Sequence, residues 1–257
     1  MRPLEEADLG AVDGVAFDVD DTLTTHGALT VPAYAALAEL KGAGFRLIAV
    51  TGRPLGWADA MAATWPIDAA VGENGAGWTW RDGRTLRTGY ADDPVTRAEQ
   101  RDVLEAIRRD VHHHLPELRE ASDQPARRCD LAFDIGEGDQ VPEPTVRALV
   151  ERIRSHGAAV TVSSVHAHAI PGSWDKARGV RGAVRDALGE PLDRDRWLFV
   201  GDSGNDEAGF AFFEHTVGVA NVRDHLERLS TPPAWVTQAE RGEGFAELAA
   251  ALLRARS

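Results

Sequence analysis

Short apolar runs alternate with amphipathic stretches over the first third of the chain. The runs lie at Val12–Val19, Phe45–Val50 and Ala69–Val71, and helices are predicted between them at Pro32–Gly42 and Leu55–Trp65. Unbroken apolar runs of this length are typical of parallel strands that are buried on both faces. The order strand, helix, strand, helix, strand therefore predicts a parallel sheet with right-handed crossovers.

A different pattern occupies the middle of the chain. An Asp-Gly pair at Asp82-Gly83 predicts a hairpin that ends the first part. The elements predicted next are a charged helix at 91–123, a strand at 130–135 with one solvent-facing side, a helix around 146–153 and two paired strands within 158–170. The first pattern resumes near Pro171, and a short strand is predicted at Thr216–Val219. We therefore expect an α/β fold in which a Rossmann-like parallel-sheet core, residues 1–88 and 171–257, is interrupted by an inserted α+β module, residues 89–170.

Composition narrows the possible partners and location. The net charge of −13 argues against sequence-independent binding to nucleic acid or to an anionic membrane surface. No window approaches the roughly 18 apolar residues of a membrane span, and the start of the chain lacks the apolar core of a signal peptide. Cys129 is the only cysteine, which excludes a disulfide within the chain and suits a reducing compartment. We expect a cytoplasmic protein, as a monomer or a homodimer.

Candidate chemistry begins directly after the first apolar run, with Asp18 and Asp20. Two residues apart in extended backbone, the two carboxylates project to the same side, at the sheet edge where open α/β sheets bind ligands. Converging carboxylates repel one another unless a cation or a shared proton lies between them, and hard oxygen ligands suit Mg²⁺. Taken alone, such a short acidic motif is more often a solvated turn.

Similar groups recur at the ends of other predicted strands and at one helix start. In chain order these residues are Asp18, Asp20, Thr51, Gly52, Arg53, Asn74, Lys176, Asp202, Asn205 and Asp206. Their order resembles the four motifs of the haloacid dehalogenase superfamily of phosphohydrolases. Asp18-Val19-Asp20-Asp21-Thr22 is similar to the first motif, Thr51 to the second, Lys176 to the third and Gly201-Asp202-xx-Asn205-Asp206 to the fourth.

The position of the insert, between the second and third motifs, resembles one subgroup of that superfamily. This subgroup carries an α+β cap and includes Cof-like phosphatases, sucrose-phosphate phosphatases and mannosyl-3-phosphoglycerate phosphatase. Glu73-Asn74-Gly75-Ala76 is also similar to it. Residues 89–170 are therefore called the cap below, and the remainder is called the core. One residue departs from the family pattern, because Asp21 stands where Gly is usual; we expect it to shape the loop rather than to bind metal.

The resemblance implies catalytic roles for four residues. Asp18 would be the nucleophile that forms an aspartyl-phosphate. Asp20 would protonate the leaving oxygen and then activate water. Lys176 would neutralise the nucleophile and the phosphate, while Thr51 and nearby amides would bind phosphoryl oxygens.

The resemblance also implies Mg²⁺ as the cofactor. The ligands of the metal ion would be the carboxylates of Asp18 and Asp202 and the backbone carbonyl of Asp20. Asp206 would complete or support this set of ligands.

Six further residues are candidate contacts with the substrate or its phosphate: Gly52, Arg53, Asn74, Asn205, His166 and His168. Arg53 is equally typical of a surface ion pair, and Asn74 of a turn. The two histidines share a face of a predicted cap strand, although a histidine on a strand is more often partly buried surface.

The predicted function is Mg²⁺-dependent hydrolysis of a small phosphorylated metabolite, with a sugar phosphate as the first choice. One alternative is a phosphosugar mutase, because Gly172-Ser173-Trp174-Asp175-Lys176 resembles the third motif of phosphomannomutase. No mutase-specific cap pattern accompanies it. The second alternative is a non-catalytic aspartate phospho-acceptor domain. Receiver domains of that kind place the acceptor on a middle strand, whereas Asp18 follows the first strand here.

Overall fold

The computed structural model describes residues 1–163 and 165–256, without the side chain of Arg228. Within these residues the strands are β1 (Arg2–Pro3), β2 (Gly14–Asp18), β3 (Arg46–Val50), β4 (Ala69–Gly72), β5 (Gly77–Asp82), β6 (Thr85–Tyr90), β7 (Leu131–Asp134), β8 (Ala159–Val162), β9 (His166–Ile170), β10 (Trp197–Gly201), β11 (His215–Gly218) and β12 (Trp235–Val236). The α-helices are α1 (Val31–Gly42), α2 (Leu55–Thr64), α3 (Pro94–His114), α4 (Glu143–Ser155), α5 (Lys176–Leu188), α6 (Glu207–Phe212) and α7 (Arg241–Ala255). Short 3₁₀ segments lie at Leu4–Glu6, Glu73–Gly75, Gln124–Ala126, Gly204–Asp206 and Ala220–Arg228.

The core is built on one large sheet whose described strands run in the order β1-β12-β11-β10-β2-β3-β4-β5-β6. The strands from β1 to β4 in this order pair in parallel, and the hairpin β5–β6 adds two antiparallel strands at the edge. Strand β2 lies in the middle, where Val15 pairs with Leu198 on one side and with Leu47 on the other. This topology confirms the predicted parallel sheet and hairpin.

Both faces of the large sheet are covered, which explains the unbroken apolar runs. Val15 and Phe17 face a cluster that includes residues of α1, α2 and α7, while Ala16 faces a second cluster with residues of α5 and α6. All five residues of β2 are buried. Burying a side chain the size of Phe17 stabilises the fold by about 1.5–3 kcal/mol.

The cap forms a separate antiparallel sheet in the order β7-β9-β8. Leu131 and Phe133 of this sheet pack with Ile107 of α3 and Leu149 of α4 in an apolar cluster of their own. A second sheet with its own cluster confirms the α+β character predicted for the insertion. Its boundaries at residues 89 and 170 stay a prediction.

Two details of the cap differ from the sequence-based expectation. The helix predicted to continue to residue 123 ends at His114, and the next residues run beside β7, with the Ala121 amide donating to the Ala132 carbonyl at 2.9 Å. Pro116 follows within two residues and cannot donate a helical hydrogen bond. The prediction that one side of β7 faces solvent is also wrong, because Asp130 and Ala132 are buried.

In the part of the chain that the structure describes, no helix combines the length and the hydropathy that a membrane crossing requires.

Candidate active site

The strands that carry the predicted motifs end at one edge of the large sheet. Asp18 is the last residue of β2, Thr51 directly follows β3, and Asp202 directly follows β10. Because β2 lies between β3 and β10 with all three parallel, their carboxyl ends meet. The predicted gathering of motif residues at this edge therefore takes place, as expected for an open α/β sheet.

Lys176 is the centre of a buried ion cluster at this edge. Its Nζ donates to Asp18 Oδ1 at 2.6 Å, to Asp206 Oδ1 at 2.6 Å and to Asn205 Oδ1 at 3.0 Å. The side chain of Lys176 is 0% exposed. A buried ammonium is stable only when paired in this way. Although burial acts to lower it, the charges of Asp18 and Asp206 raise the pKa of Lys176 above its ordinary value.

Lys176 reaches the cluster because the start of α5 packs directly against the turn at Glu73–Gly75. Gly75 has a φ of 109°, and a Cβ at this position would lie 1.9 Å from the carbonyl oxygen of Asp175. Only glycine combines this conformation with so close an approach. Asp175 caps the helix by accepting the Arg178 amide at 2.7 Å. Lys176 is therefore fixed at the first position of α5.

Asp202 completes a cluster of three carboxylates. One oxygen each of Asp18, Asp202 and Asp206 lie within 4.8 Å of one another, and all three residues are buried. Thr22 Oγ1 donates to Asp202 Oδ1 at 3.3 Å, and Asn221 Nδ2 donates to Asp202 Oδ2 at 3.0 Å. Three acids face one lysine, so the cluster carries an excess of buried negative charge.

This excess charge appears in the pKa values of the acids. Burial raises the pKa of Asp18 well above its ordinary value, against the opposing charge of Lys176, and Asp206 and Asp202 raise it further. Burial together with the charge of Asp206 raises the pKa of Asp202 to about 7. A divalent cation would relieve both effects, and the clustered oxygens suit a hard cation. The residues present therefore fit a metal site.

Asp206 has partners for both of its oxygens. Besides Lys176, it accepts the backbone amides of Asp202 at 2.9 Å and Ser203 at 3.1 Å on Oδ2. These contacts make Asp206 a support for Lys176 and for the loop. Asp18 and Asp202 are therefore the better candidate ligands for a metal ion.

Asp20 stands apart from the buried cluster. Its side chain is 45% exposed and accepts hydrogen bonds from Arg53 Nε at 2.8 and 2.9 Å and from Arg53 Nη2 at 2.5 Å. Thr51 Oγ1 lies 3.3 Å from Asp20 Oδ2, and Thr51 is buried. The guanidinium of Arg53 also lies 4.3 Å from the ring centre of Trp57. The predicted metal role of Asp20 thus rests on its backbone carbonyl, because its carboxylate is engaged elsewhere.

A cleft of about 410 Å³ separates this edge of the core from the cap. The core lines it with Asp20, Gly52, Arg53 and Asn74, and Asn205 lies at the same wall. The oxygen Oδ1 of Asn74 is buried without a hydrogen-bond partner among the described residues. An unpaired buried acceptor is costly, so Asn74 is suited to receive a donor from a ligand. A Cβ at Gly52 would come within 3.2 Å of this same side chain.

The cap brings both predicted histidines to the cleft, each held by a carboxylate. His168 Nδ1 lies 3.0 Å from Asp130 Oδ2, and His166 Nε2 is hydrogen-bonded to Glu137. The two rings are 5.6 Å apart at an edge-on angle of 82°. Although burial acts to raise it, the hydrogen bond with His168 and the charge of Arg127 hold the pKa of Asp130 below its ordinary value.

Three residues near the site were not predicted. Asn221 links Asp202 to the carbonyl oxygen of Asp21, and Arg127 links Asp123 and Asp130 to the carbonyl oxygen of Gly52. Glu73 carries the third missed role, described below. Asn221 had a signal in the sequence, since it lies just beyond the strand predicted at 216–219, and Glu73 lies in the segment similar to the cap-bearing subgroup, whereas Arg127 had none.

Asp21 takes a backbone conformation that favours glycine. Its φ is 54°, in the left-handed region. Its carboxylate accepts the His26 amide at 3.0 Å and contacts Arg241 Nε at 3.3 Å. Asp21 therefore shapes the loop, as its turn preference predicted.

Comparisons with known proteins bear on the family and the fold of this chain. Residues 15–114 match a family model described as haloacid dehalogenase-like hydrolase. A solved structure from Thermoplasma acidophilum has a TM-score of 0.72 at 19% identity and covers 94% of this chain and 98% of that chain. A haloacid dehalogenase-like hydrolase from Bacteroides thetaiotaomicron has a TM-score of 0.65 at 16% identity, covering 94% and 99%. The sucrose-phosphatase of Synechocystis, in complex with sucrose and phosphate, has a TM-score of 0.62 at 20% identity, covering 98% and 98%. No curated protein matches the sequence.

The family-model match over residues 15–114 and the shared fold thus confirm the resemblance to haloacid dehalogenase-like hydrolases that the four motifs carry. The prediction that the chain is an enzyme is confirmed with it. The structural likeness extends through the cap, because these structures are covered almost from end to end.

Proposed function

We propose that the chain is a Mg²⁺-dependent phosphatase that hydrolyses a small phosphorylated metabolite through an aspartyl-phosphate. The observation that carries the proposal is the position of Asp18. It is buried at the end of the central strand, 2.6 Å from Lys176 and within the candidate metal cluster. A buried carboxylate held beside a paired ammonium is suited to act as a nucleophile.

The first chemical step is attack of an Asp18 oxygen on phosphorus. A new O–P bond forms as the ester P–O bond breaks, and Asp20 supplies the proton that the leaving oxygen takes. Two unit charges about 4 Å apart repel by about 4 kcal/mol at an effective dielectric of 20. Lys176 offsets this repulsion between the carboxylate and the phosphate dianion. Asp18 and Asp202 would hold the metal ion, which supplies additional positive charge next to the phosphoryl oxygens when bound.

The second step returns Asp18 to its free form. Asp20, now ionised, takes a proton from water as the water oxygen attacks the phosphorus of the aspartyl-phosphate. The P–O bond to Asp18 breaks and inorganic phosphate leaves. Thr51, buried beside this path, would donate its hydroxyl to a phosphoryl oxygen in both steps.

The substrate class we favour is the sugar phosphates. The cap wall of the cleft carries polar groups that pair well with hydroxyls, including Ser122, Ser163, His166 and His168. Structurally similar proteins include the sucrose-phosphatase described above and a trehalose-6-phosphate phosphatase related protein with a TM-score of 0.63 at 16% identity. Their names support this class for the present chain.

The deciding experiment measures phosphate release from a panel of sugar phosphates and from p-nitrophenyl phosphate, with Mg²⁺ and with EDTA. We expect turnover that requires the metal and is fastest with one sugar phosphate. No release from any ester in the panel would refute phosphatase activity. Isomerised sugar phosphate in reactions primed with a sugar bisphosphate would favour the mutase instead, and a stable phosphoprotein without turnover would favour the phospho-acceptor.

A further inference from the structure

One buried carboxylate joins the core to the cap. Glu73 is 1% exposed. Its Oε1 accepts the amides of Leu55 and Arg128, each at 2.9 Å, and its Oε2 accepts the amides of Cys129 at 2.6 Å and Asp130 at 3.0 Å. Leu55 belongs to the core, whereas the other three donors are consecutive residues of the cap.

Glu73 accepts hydrogen bonds from four backbone amides, which makes it a specific link between the core and the cap. A carboxylate only accepts hydrogen bonds, and four N–H groups use both of its oxygens. Cys129 and Asp130 are buried, so loss of the Glu73 side chain would leave their amides without a protein acceptor at a poorly hydrated position.

On the core side, Glu73 belongs to the loops that surround the nucleophile. Its own amide donates to the Arg53 carbonyl at 2.9 Å, and the next amide, that of Asn74, donates to the Thr51 carbonyl at 3.0 Å. Glu73 and Asn74 both have positive φ values, 49° and 54°. Such a conformation persists only when the surrounding contacts enforce it. The Glu73 carboxylate supplies such contacts.

On the cap side, residues 128–130, which Glu73 binds, are connected by hydrogen bonds to the wall of the cleft. The Asp130 amide is bound by Glu73, while the Asp130 carboxylate holds His168 at 3.0 Å and Arg127 at 3.0 Å. Arg127 in turn donates to the Gly52 carbonyl at 3.2 Å. The position of His168 relative to Thr51 and Asp20 therefore depends on where Glu73 holds residues 128–130.

We propose that Glu73 is a positioning residue that anchors the cap to the core. It thereby sets the distance between Asp18, where the phosphoryl group would be transferred, and the cap wall of the cleft, which would contact the leaving group. The kinetic part of this inference rests on the proposed phosphatase activity. The structural part, that residues 128–130 are held by Glu73, does not depend on it.

The test compares Glu73→Gln with the wild type in the full-length protein. Glutamine keeps the size but turns an NH₂ group toward two of the four donors. We expect kcat/KM for the best sugar phosphate to fall at least tenfold more than kcat/KM for p-nitrophenyl phosphate, whose small leaving group depends less on the cap. A factor of about ten corresponds to one lost buried hydrogen bond. Glu73→Asp, which keeps a carboxyl group and so donates no N–H toward the four amides, should recover part of the difference.

Two physical readouts accompany the kinetics. Hydrogen exchange at the amides of residues 128–130 should be slow in the wild type and at least about tenfold faster in Glu73→Gln. Cys129, the single cysteine and 9% exposed, should react slowly with a thiol reagent in the wild type and faster in the variant. The wild-type rates alone decide the structural part if the variant does not fold.

Glu247→Gln is the matched control. Glu247 also accepts consecutive backbone amides, those of Gln238 at 3.0 Å and Ala239 at 2.9 Å, but all of these residues lie in the core away from the cleft. This variant should leave both substrates and the exchange at 128–130 unchanged. Equal losses on both substrates in Glu73→Gln, or fast exchange at 128–130 in the wild type, would overturn the anchor. Absence of all phosphatase activity would refute the proposed function, while the exchange and labelling rates would still decide the anchor.

Discussion

Arg53 holds Asp20 through both its Nε and its Nη2, at distances between 2.5 and 2.9 Å. The pair lies at the mouth of the cleft, where Asp20 is the candidate proton donor. Both oxygens of Asp20 accept hydrogen bonds from this guanidinium. We expect substrate entry to draw Arg53 away from Asp20, because the incoming phosphate is a second partner for a guanidinium. Arg53 would then sense the phosphate and release Asp20 in one movement.

Replacing Arg53 tests this exchange of partners. Arg53→Lys keeps the charge but loses the planar fork, so we expect kcat/KM to fall about tenfold or more. Steady-state kinetics on the best sugar phosphate measure the effect. Arg196→Lys is the control, because Arg196 also contacts an aspartate, Asp13, through Nε and Nη2, but at an exposed site outside the cleft. Unchanged kinetics in Arg53→Lys would show that the pair is an ordinary surface contact.

Asp18→Asn should abolish turnover without unfolding the protein. The amide cannot form the aspartyl-phosphate, and loss of a nucleophile typically costs a factor of about 10³ or more in kcat. Because burial raises the pKa of Asp18 well above its ordinary value, removing its charge should not lower the melting temperature. Phosphate release and thermal unfolding are measured on the same preparation. Residual activity within tenfold of the wild type would rule out Asp18 as the nucleophile.

Metal binding should stabilise the protein more at pH 8 than at pH 6. Burial, with the charge of Asp206, raises the pKa of Asp202 to about 7 from an ordinary value of 3.8. Between pH 3.8 and about 7, the metal-free folded protein therefore keeps a proton on Asp202 that the unfolded chain has already lost. The stabilisation from that proton is complete below the lower pKa and is lost as the pH rises through the higher one.

Above pH 7 the ionised Asp202 can bind Mg²⁺ without first releasing a proton. We expect Mg²⁺ to raise Tm at pH 8 by at least about 2–4 °C, which corresponds to 1 kcal/mol in a chain of this size, and by less at pH 6. Asp202→Asn should remove the difference between the two pH values. A shift of Tm that is equal at both pH values in the wild type would contradict this account.

His168→Ala should weaken recognition of the leaving group rather than the chemistry. The ring lines the cleft and is held by Asp130, so its loss should raise KM for the best sugar phosphate about tenfold, the value of one good hydrogen bond to a ligand. Hydrolysis of p-nitrophenyl phosphate should change little. His113→Ala, at an exposed position of α3, serves as the control. A parallel loss on both substrates would assign His168 to the catalytic centre or to folding.

The site residues that could be predicted from the sequence are those that lie at the ends of parallel strands. Asp18 and Asp202 end apolar strands, and parallel strands bring such ends together without further information. The role of Glu73 could not be found in this way. Its cap partners are backbone amides 55, 56 and 57 residues away, and every residue except proline carries an amide. The role of Asn221 was easier to predict, because this residue follows a predicted strand at the same edge of the sheet.

The errors in the cap have a common physical origin. Charged residues continue past His114, and charge alone does not separate a helix from an extended segment; Pro116 was the signal for the end of the helix. Asp130 alternates with apolar residues as a solvent-facing residue would, yet it is buried with Arg127 and His168. The burial of a charge depends on distant partners, which the local pattern does not contain.

The central position of β2 has a consequence for how the protein is made. One edge of β2 pairs with β3, which follows it closely in sequence. The other edge can pair only after β10 has been synthesised. Lys176, which completes the site, lies 158 residues after Asp18. During synthesis the chain must therefore carry an unpaired apolar strand edge until the last third has emerged from the ribosome. Chains that stop short of β10 should expose this edge and aggregate, so the same strand that organises the finished enzyme is its most vulnerable segment before completion.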